Sequence, residues 1–191
     1  MKNKSLSYYI GTFFILLSLS GFFLIFYPVI IARYFPPPQE VFAKEEFVLT
    51  IPSIQASGRV IKNVDPFVQK EYETALKKGI AHAKNTSLPG EKGMTFLFAH
   101  SAAAPWELTR YNTVFLRLGE VEKDEKIYIS FNGMRYTYSV TGKKEVEPTE
   151  VNYLLNRKYA TNTLILQTCT PIGTDWKRLL IFAQLVESTK L

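Results

Sequence analysis

From Ser5 to Ala32 the chain carries no charged side chain, and the run Tyr8–Ile31 (YYIGTFFILLSLSGFFLIFYPVII) is apolar almost throughout. About 20 such residues make a helix long enough to cross a bilayer. A cleaved leader has an apolar region of about 7–15 residues with small residues just after it. Here the run is longer and is followed by Arg33, Tyr34, Phe35 and three prolines, which favours an uncleaved anchor. Lys2 and Lys4 precede the segment and Arg33 is the only nearby positive charge beyond it. That bias predicts a single-pass plasma-membrane protein with a cytoplasmic N-terminus, its remaining domain extracellular and residues 8–31 in contact with lipid.

The anchor limits what remains to one domain's worth of chain. Residues 1–33 are read as cytoplasmic tip and transmembrane anchor, 34–46 as a proline-rich spacer and 47–191 as a single domain. The formal charge of +6 is no sign of nucleic acid. Of 23 basic residues, Lys2, Lys4 and Arg33 belong to the anchor region and all 17 acids lie beyond it. The remainder sets 20 basic against 17 acidic residues, a net of +3, intermixed as on a solvated surface.

Beyond the spacer the pattern is mostly strands. Phe47–Ile54 and Gly58–Val64 are short β-branched runs. Asp65 and Pro66 read as N-cap and first position of a helix over Phe67–Lys78, stopped by Gly79. Asn85–Gly93 is a loop by composition, and Met94–Ala99 (MTFLFA) reads as a strand buried on both faces. A short helix is expected around Thr113–Leu118. Lys126–Phe131 and Arg135–Val146 flank Asn132-Gly133, a strong hairpin signal. A helical turn or two lies within Pro148–Leu155, and Thr163–Thr168 and Leu179–Val186 are the last strands. The prediction is a mainly β domain of about eight short strands, closed or nearly closed into a barrel, with small helices and a preceding transmembrane helix.

Only Cys169 is available as a thiol, so no disulfide can form within the chain. His100 follows MTFLFA directly, Cys169 follows LILQT, and Arg178 opens the final strand across a short connection. If the last two strands pair, Cys169 and Arg178 share one barrel end. The three types suit acyl transfer. A thiolate attacks a carbonyl, an imidazole takes and returns the proton, and a guanidinium stabilises an oxyanion. His82 lacks a strand-end position. Ser101 is set aside because neighbours on a strand face opposite ways. Two histidines and one cysteine show no metal spacing, and Glu145 with Glu147 do not define a calcium site, so no metal or cofactor is expected.

At these residues the chain resembles the sortases. Gln167-Thr168-Cys169-Thr170-Pro171 with Arg178 beyond is similar to the family's Thr-Leu-x-Thr-Cys signature and later arginine. Ala81–Gly93, leading to Phe98-Ala99-His100, is similar to the segment before its histidine, and Ile51-Pro52-Ser53-Ile54 resembles its first core strand. Ile165 stands where the signature has its first threonine, and Ala99 where glycine commonly precedes the histidine. The resemblance covers about Val48–Val186 and implies an eight-stranded sortase-type β-barrel. It further implies catalytic Cys169, His100 and Arg178, with Thr168 and Trp106 bordering the substrate. The implied substrate is a surface protein with a C-terminal LPXTG-like sorting signal, passed through a thioacyl-enzyme to an amine on a cell-wall precursor or a pilin lysine. Asp65-Pro66-Phe67 is similar to the lid motif of pilus-building members. There it precedes the first core strand and here it follows, so a housekeeping or class D/E-like enzyme is implied; nothing after Val186 reads as a second anchor. The rival readings are a thiol peptidase resolved by water and an inactive tethered barrel that binds a partner.

Overall fold

The structure, a computed structural model, describes residues 6–34, 46–101, 114–155 and 162–191. The chain divides into two compact units, Met1–Pro36 and Pro37–Leu191. The first is a single helix, α1 (Leu6–Tyr34). At 1.5 Å per residue it is about 43 Å long. It is the one described helix long and apolar enough to cross a membrane. Large apolar side chains such as Phe13, Leu16 and Phe23 are exposed along it. Residues 35–45 of the spacer fall outside the described residues.

The second unit is a closed eight-stranded barrel. Its strands are β1 (Val48–Ile51), β2 (Ala56–Val64), β3 (Ile80–Ala83), β4 (Met94–Phe98), β5 (Lys126–Phe131), β6 (Met134–Val146), β7 (Thr163–Thr170) and β8 (Lys177–Lys190). They follow one another around the barrel as β1-β2-β3-β4-β7-β8-β6-β5, with β5 closing onto β1. The β2–β3 and β4–β7 pairs are parallel. The core holds side chains from every strand, among them Leu49, Val60, Ile80, Leu97, Ile129, Val140, Leu166 and Ile181. Burial of each large aliphatic side chain contributes about 1.5–3 kcal/mol.

The predicted strands are present with shifted ends, for local reasons. Pro52–Ile54 leaves β1 as a 3-10 turn, since Pro52 has no N–H for a ladder. The β5–β6 hairpin turns at Asn132 and Gly133 with φ of 50° and 74°, the left-handed pair that a two-residue loop demands. The expected helix is shorter, α2 (Gln69–Leu76), and Asp65 does not cap it. Its Oδ1 instead accepts from the Phe67 N–H at 3.0 Å, closing an Asx turn that precedes the helix. Residues 114–117 form turns before a 3-10 segment, Leu118–Glu120, where a helix was expected; Thr113 lies outside the described residues. Within Pro148–Leu155 the helix is the single turn α3 (Asn152–Leu155).

One strand went unread. β3 (IAHA) carries no β-branched run beyond Ile80, yet all four side chains are buried between β2 and β4. Tertiary pairing overrides the helical preference of its alanines. Gly79 starts it because a Cβ there would collide with the Arg59 carbonyl oxygen.

Candidate active site

The parallel β4–β7 ladder aligns two strand ends. Phe98 is level with Gln167, and the Ala99 N–H continues the ladder to the Gln167 carbonyl at 3.1 Å. His100 follows Ala99 directly and lines the same cleft as Cys169. On the other side of β7, Cys169 and Arg178 are direct partners in the antiparallel β7–β8 register. Cys169 lies inside β7, one residue before its end, and Arg178 is the second residue of β8. Both strands run past the ends expected from sequence, and their pairing is what places thiol and guanidinium side by side. The Thr170–Pro171 peptide bond that follows is cis.

His100, Cys169 and Arg178 are all half-buried and line one cleft of about 570 Å³. By strand alternation Phe96, Phe98 and Gln167 share a face with Cys169, and all three line the cleft. One wall is Pro66, Phe67, Tyr72 and Leu76; the other is Pro148, Val151 and Tyr153. Thr168 also lines the cleft, although its side chain alternates to the opposite face of β7. It is buried, and its hydroxyl donates to the Ala99 carbonyl at 2.9 Å, a second tie between β4 and β7. Arg178 is braced from its own side, Nη1 donating to the Asp175 carbonyl at 2.8 Å and the Lys177 carbonyl at 3.2 Å.

Burial pushes the Cys169 thiol above its ordinary pKa; the Arg178 guanidinium pulls it back, and Asp175 adds to the rise. At neutral pH the sulfur is therefore mainly protonated, and a base must take its proton as it attacks. Arg178 is the cation placed to hold negative charge on the sulfur or on an adjacent oxyanion.

His82 is placed quite differently. It is fully buried on β3. Its Nε2–H is shared by the Ser87 carbonyl at 3.2 Å and Thr86 Oγ1 at 3.0 Å, while Nδ1 accepts the Asn63 N–H at 3.3 Å. Burial lowers its pKa, against an upward pull from the Ser87 hydrogen bond and Glu91. It does not line the cleft.

Ser101 does line the cleft beside His100. Strand alternation does not separate the two, because β4 has already ended at Phe98. Trp106 and the rest of the loop after Ser101 up to residue 113 lie outside the described residues. Sequence reasoning missed Gln167 and Tyr153 as cleft residues. Gln167 was open to detection as the residue two before Cys169 on one strand; Tyr153 left no such signal. Among the described residues, no group of three or more His, Cys, Asp or Glu side chains is placed to hold a metal ion.

Comparison with known proteins adds a family. A family model described as the sortase domain matches residues 49–186. The chain is 28% identical over 142 residues to Sortase D of Bacillus subtilis (strain 168), covering 73% of this chain and 63% of that protein. It is 26% identical over 138 residues to Sortase A of Bacillus anthracis, covering 72% and 58%. It thus spans less than two thirds of the length of these curated relatives. Among solved structures, it is similar to sortase C-1 from Actinomyces oris, with TM-score 0.62, 26% identity and coverage of 74% of this chain and 71% of that one. Sortase C1 from Streptococcus suis gives TM-score 0.62 and 28% identity, with 75% and 74% covered.

Proposed function

The chain belongs to the sortase family, and from that premise we propose that it is a membrane-anchored cysteine transpeptidase. Its substrate is a protein bearing an LPXTG-like sorting signal. The Cys169 sulfur attacks the threonine carbonyl as its proton passes to His100. The tetrahedral oxyanion is held by the Arg178 guanidinium. Collapse breaks the threonine–glycine bond, His100 returns its proton to the departing amine, and a thioacyl-enzyme remains. An incoming amine, from a cell-wall precursor or a pilin lysine, loses its proton to His100 and attacks the thioester. The new amide leaves and the thiol is restored.

The observation that carries this reading is the direct pairing of Cys169 with Arg178, in a cleft that His100 also lines. Helix α1 supports anchoring, and the lysine bias supports a cytoplasmic N-terminus with the barrel outside. The likeness to Sortase D favours a class D-like enzyme. Thr168 fixes the two strand ends, and Trp106, six residues after His100 in the sequence, borders the substrate.

The test supplies a sorting-signal peptide with and without an added amine. Incorporation of the amine through the threonine carbonyl is expected. Cleavage that never incorporates the amine makes the enzyme a thiol peptidase. No cleavage, with Cys169 inert to alkylation, leaves a binding barrel.

A further inference from the structure

Among the described residues, the cleft is lined by one amide side chain, Gln167. It sits two residues before Cys169 on the same face of β7, about 6.6 Å away along the strand, and is half-buried. Phe98 is its neighbour across the ladder, and Phe96, Leu76 and Val151 line the same cleft. Its Oε1 is already occupied, because the Tyr153 hydroxyl donates to it at 2.7 Å. The Tyr153 ring is fixed in turn by stacking on Phe96, with centroids 5.9 Å apart and planes 22° from parallel. Burial pushes the Tyr153 hydroxyl pKa up, which keeps it a donor across the working range. With the oxygen held, the amide's Nε2 has two N–H groups and, among the described residues, no hydrogen-bond partner. These donors belong to a residue that lines the cleft, where a peptide carbonyl can take the place of water as their acceptor.

We propose that Gln167 is a substrate-binding residue whose Nε2–H donates to a peptide carbonyl on the acyl side of the scissile bond, and that Tyr153 is the residue that positions it. An extended peptide advances about 3.3 Å per residue, so the carbonyl two residues from the attacked one comes level with Gln167. The side follows from exposure. Beyond Cys169 the cleft runs out to the loop 171–176, where Ile172 and Trp176 are exposed. The leaving amine and its replacement exchange at this open end. Gln167 lies on the other side, beside the buried Phe96 and Phe98, where the retained acyl portion stays through both steps. The inference rests on the transpeptidase reading and deepens it: beside apolar contact, one backbone carbonyl of the sorting signal is read by a polar group.

The test is steady-state kinetics of the full chain with a sorting-signal peptide and an amine, for Gln167→Met, Gln167→Glu and Tyr153→Phe. Methionine keeps the length and removes the amide. Glutamate keeps the acceptor for Tyr153 and removes the donor. Phenylalanine keeps the stacked ring and removes the hydroxyl. Each is expected to raise the peptide KM about five- to tenfold, with kcat and the amine KM unchanged and the melting temperature close to that of the parent. Combining Tyr153→Phe with Gln167→Met should add nothing further, because the hydroxyl acts through the amide. An unchanged peptide KM in Gln167→Met or Gln167→Glu overturns the proposal. A Tyr153→Phe variant that lowers melting temperature and kcat without moving KM also overturns it, since that is a structural role. A parent enzyme that forms no acyl-enzyme with the peptide removes the transpeptidase reading, and this inference with it.

Discussion

His82 and His100 flank the same strand, β4, and belong to regions built to opposite ends. Around His82 every polar atom is committed: Nε2 to Ser87 and Thr86, Nδ1 to Asn63, with the ring fully buried. That cluster locks the β3–β4 connection to the barrel. Around His100 the groups stand half-buried at a cleft, and among the described residues Arg178 is braced by backbone carbonyls of its own segment. Residue type does not separate the two regions. What separates them is whether the side chain is sealed among partners in the core, or stands at a space that a peptide can enter.

Breaking each region should therefore give opposite phenotypes. The largest effect is expected from Arg178→Gln, which should lower peptide turnover about 100- to 1,000-fold while leaving the fold intact by circular dichroism. The same change should move the pH midpoint of Cys169 alkylation still higher, because Arg178 is what opposes the burial-driven rise. On the other side of β4, His82→Ala should cost about 3 kcal/mol of stability through a cavity and unmet partners. Turnover per folded molecule should hardly change, as chemical denaturation and active-site titration would reveal.

The pH dependence sharpens the same contrast. The folded-state pKa of His82 lies below its unfolded value, so its contribution is fully present above the unfolded pKa. As pH falls below about 6.5 the unfolded chain takes up a proton that the folded chain refuses. Stability should decline through that window by up to about 1.4 kcal/mol per pH unit. A His82→Gln variant, less stable overall, should show a flatter profile in the same melts. The smallest effect belongs to Thr168→Val, which removes the donor to the Ala99 carbonyl. It should cost about 1–2 kcal/mol and reduce turnover modestly, by loosening the two strand ends against each other.

Most of the barrel was legible because its strands obey local rules. MTFLFA is apolar but for Thr95, as suits a doubly covered strand, and Asn132-Gly133 allows hardly anything but a tight hairpin. β3 was illegible because its four residues have no strand preference of their own and acquire the conformation from β2 and β4. Asp65 misled for a related reason: its carboxylate can cap a helix or close an Asx turn, and only Pro66 and Phe67 in three dimensions decide between them. In the site, Cys169, His100 and Arg178 were readable as strand-end residues. The pairing of Cys169 with Arg178 followed from joining the last two strands; the meeting of β4 with β7 did not, since it depends on a parallel register between segments far apart in the chain. The Tyr153–Gln167 pair lay further out of reach, because α3 is one turn long and its docking onto β7 has no local code.

The central claim is that the Cys169 sulfur, served by the groups beside it, takes an acyl group from a peptide. Intact-mass spectrometry of the full chain incubated with a sorting-signal peptide and no amine tests it most directly. The account predicts an adduct of the peptide's acyl portion that maps to Cys169, is released by hydroxylamine and is missing from Cys169→Ala. An adduct that persists in Cys169→Ala, or none on the parent across a library of such peptides, would contradict it.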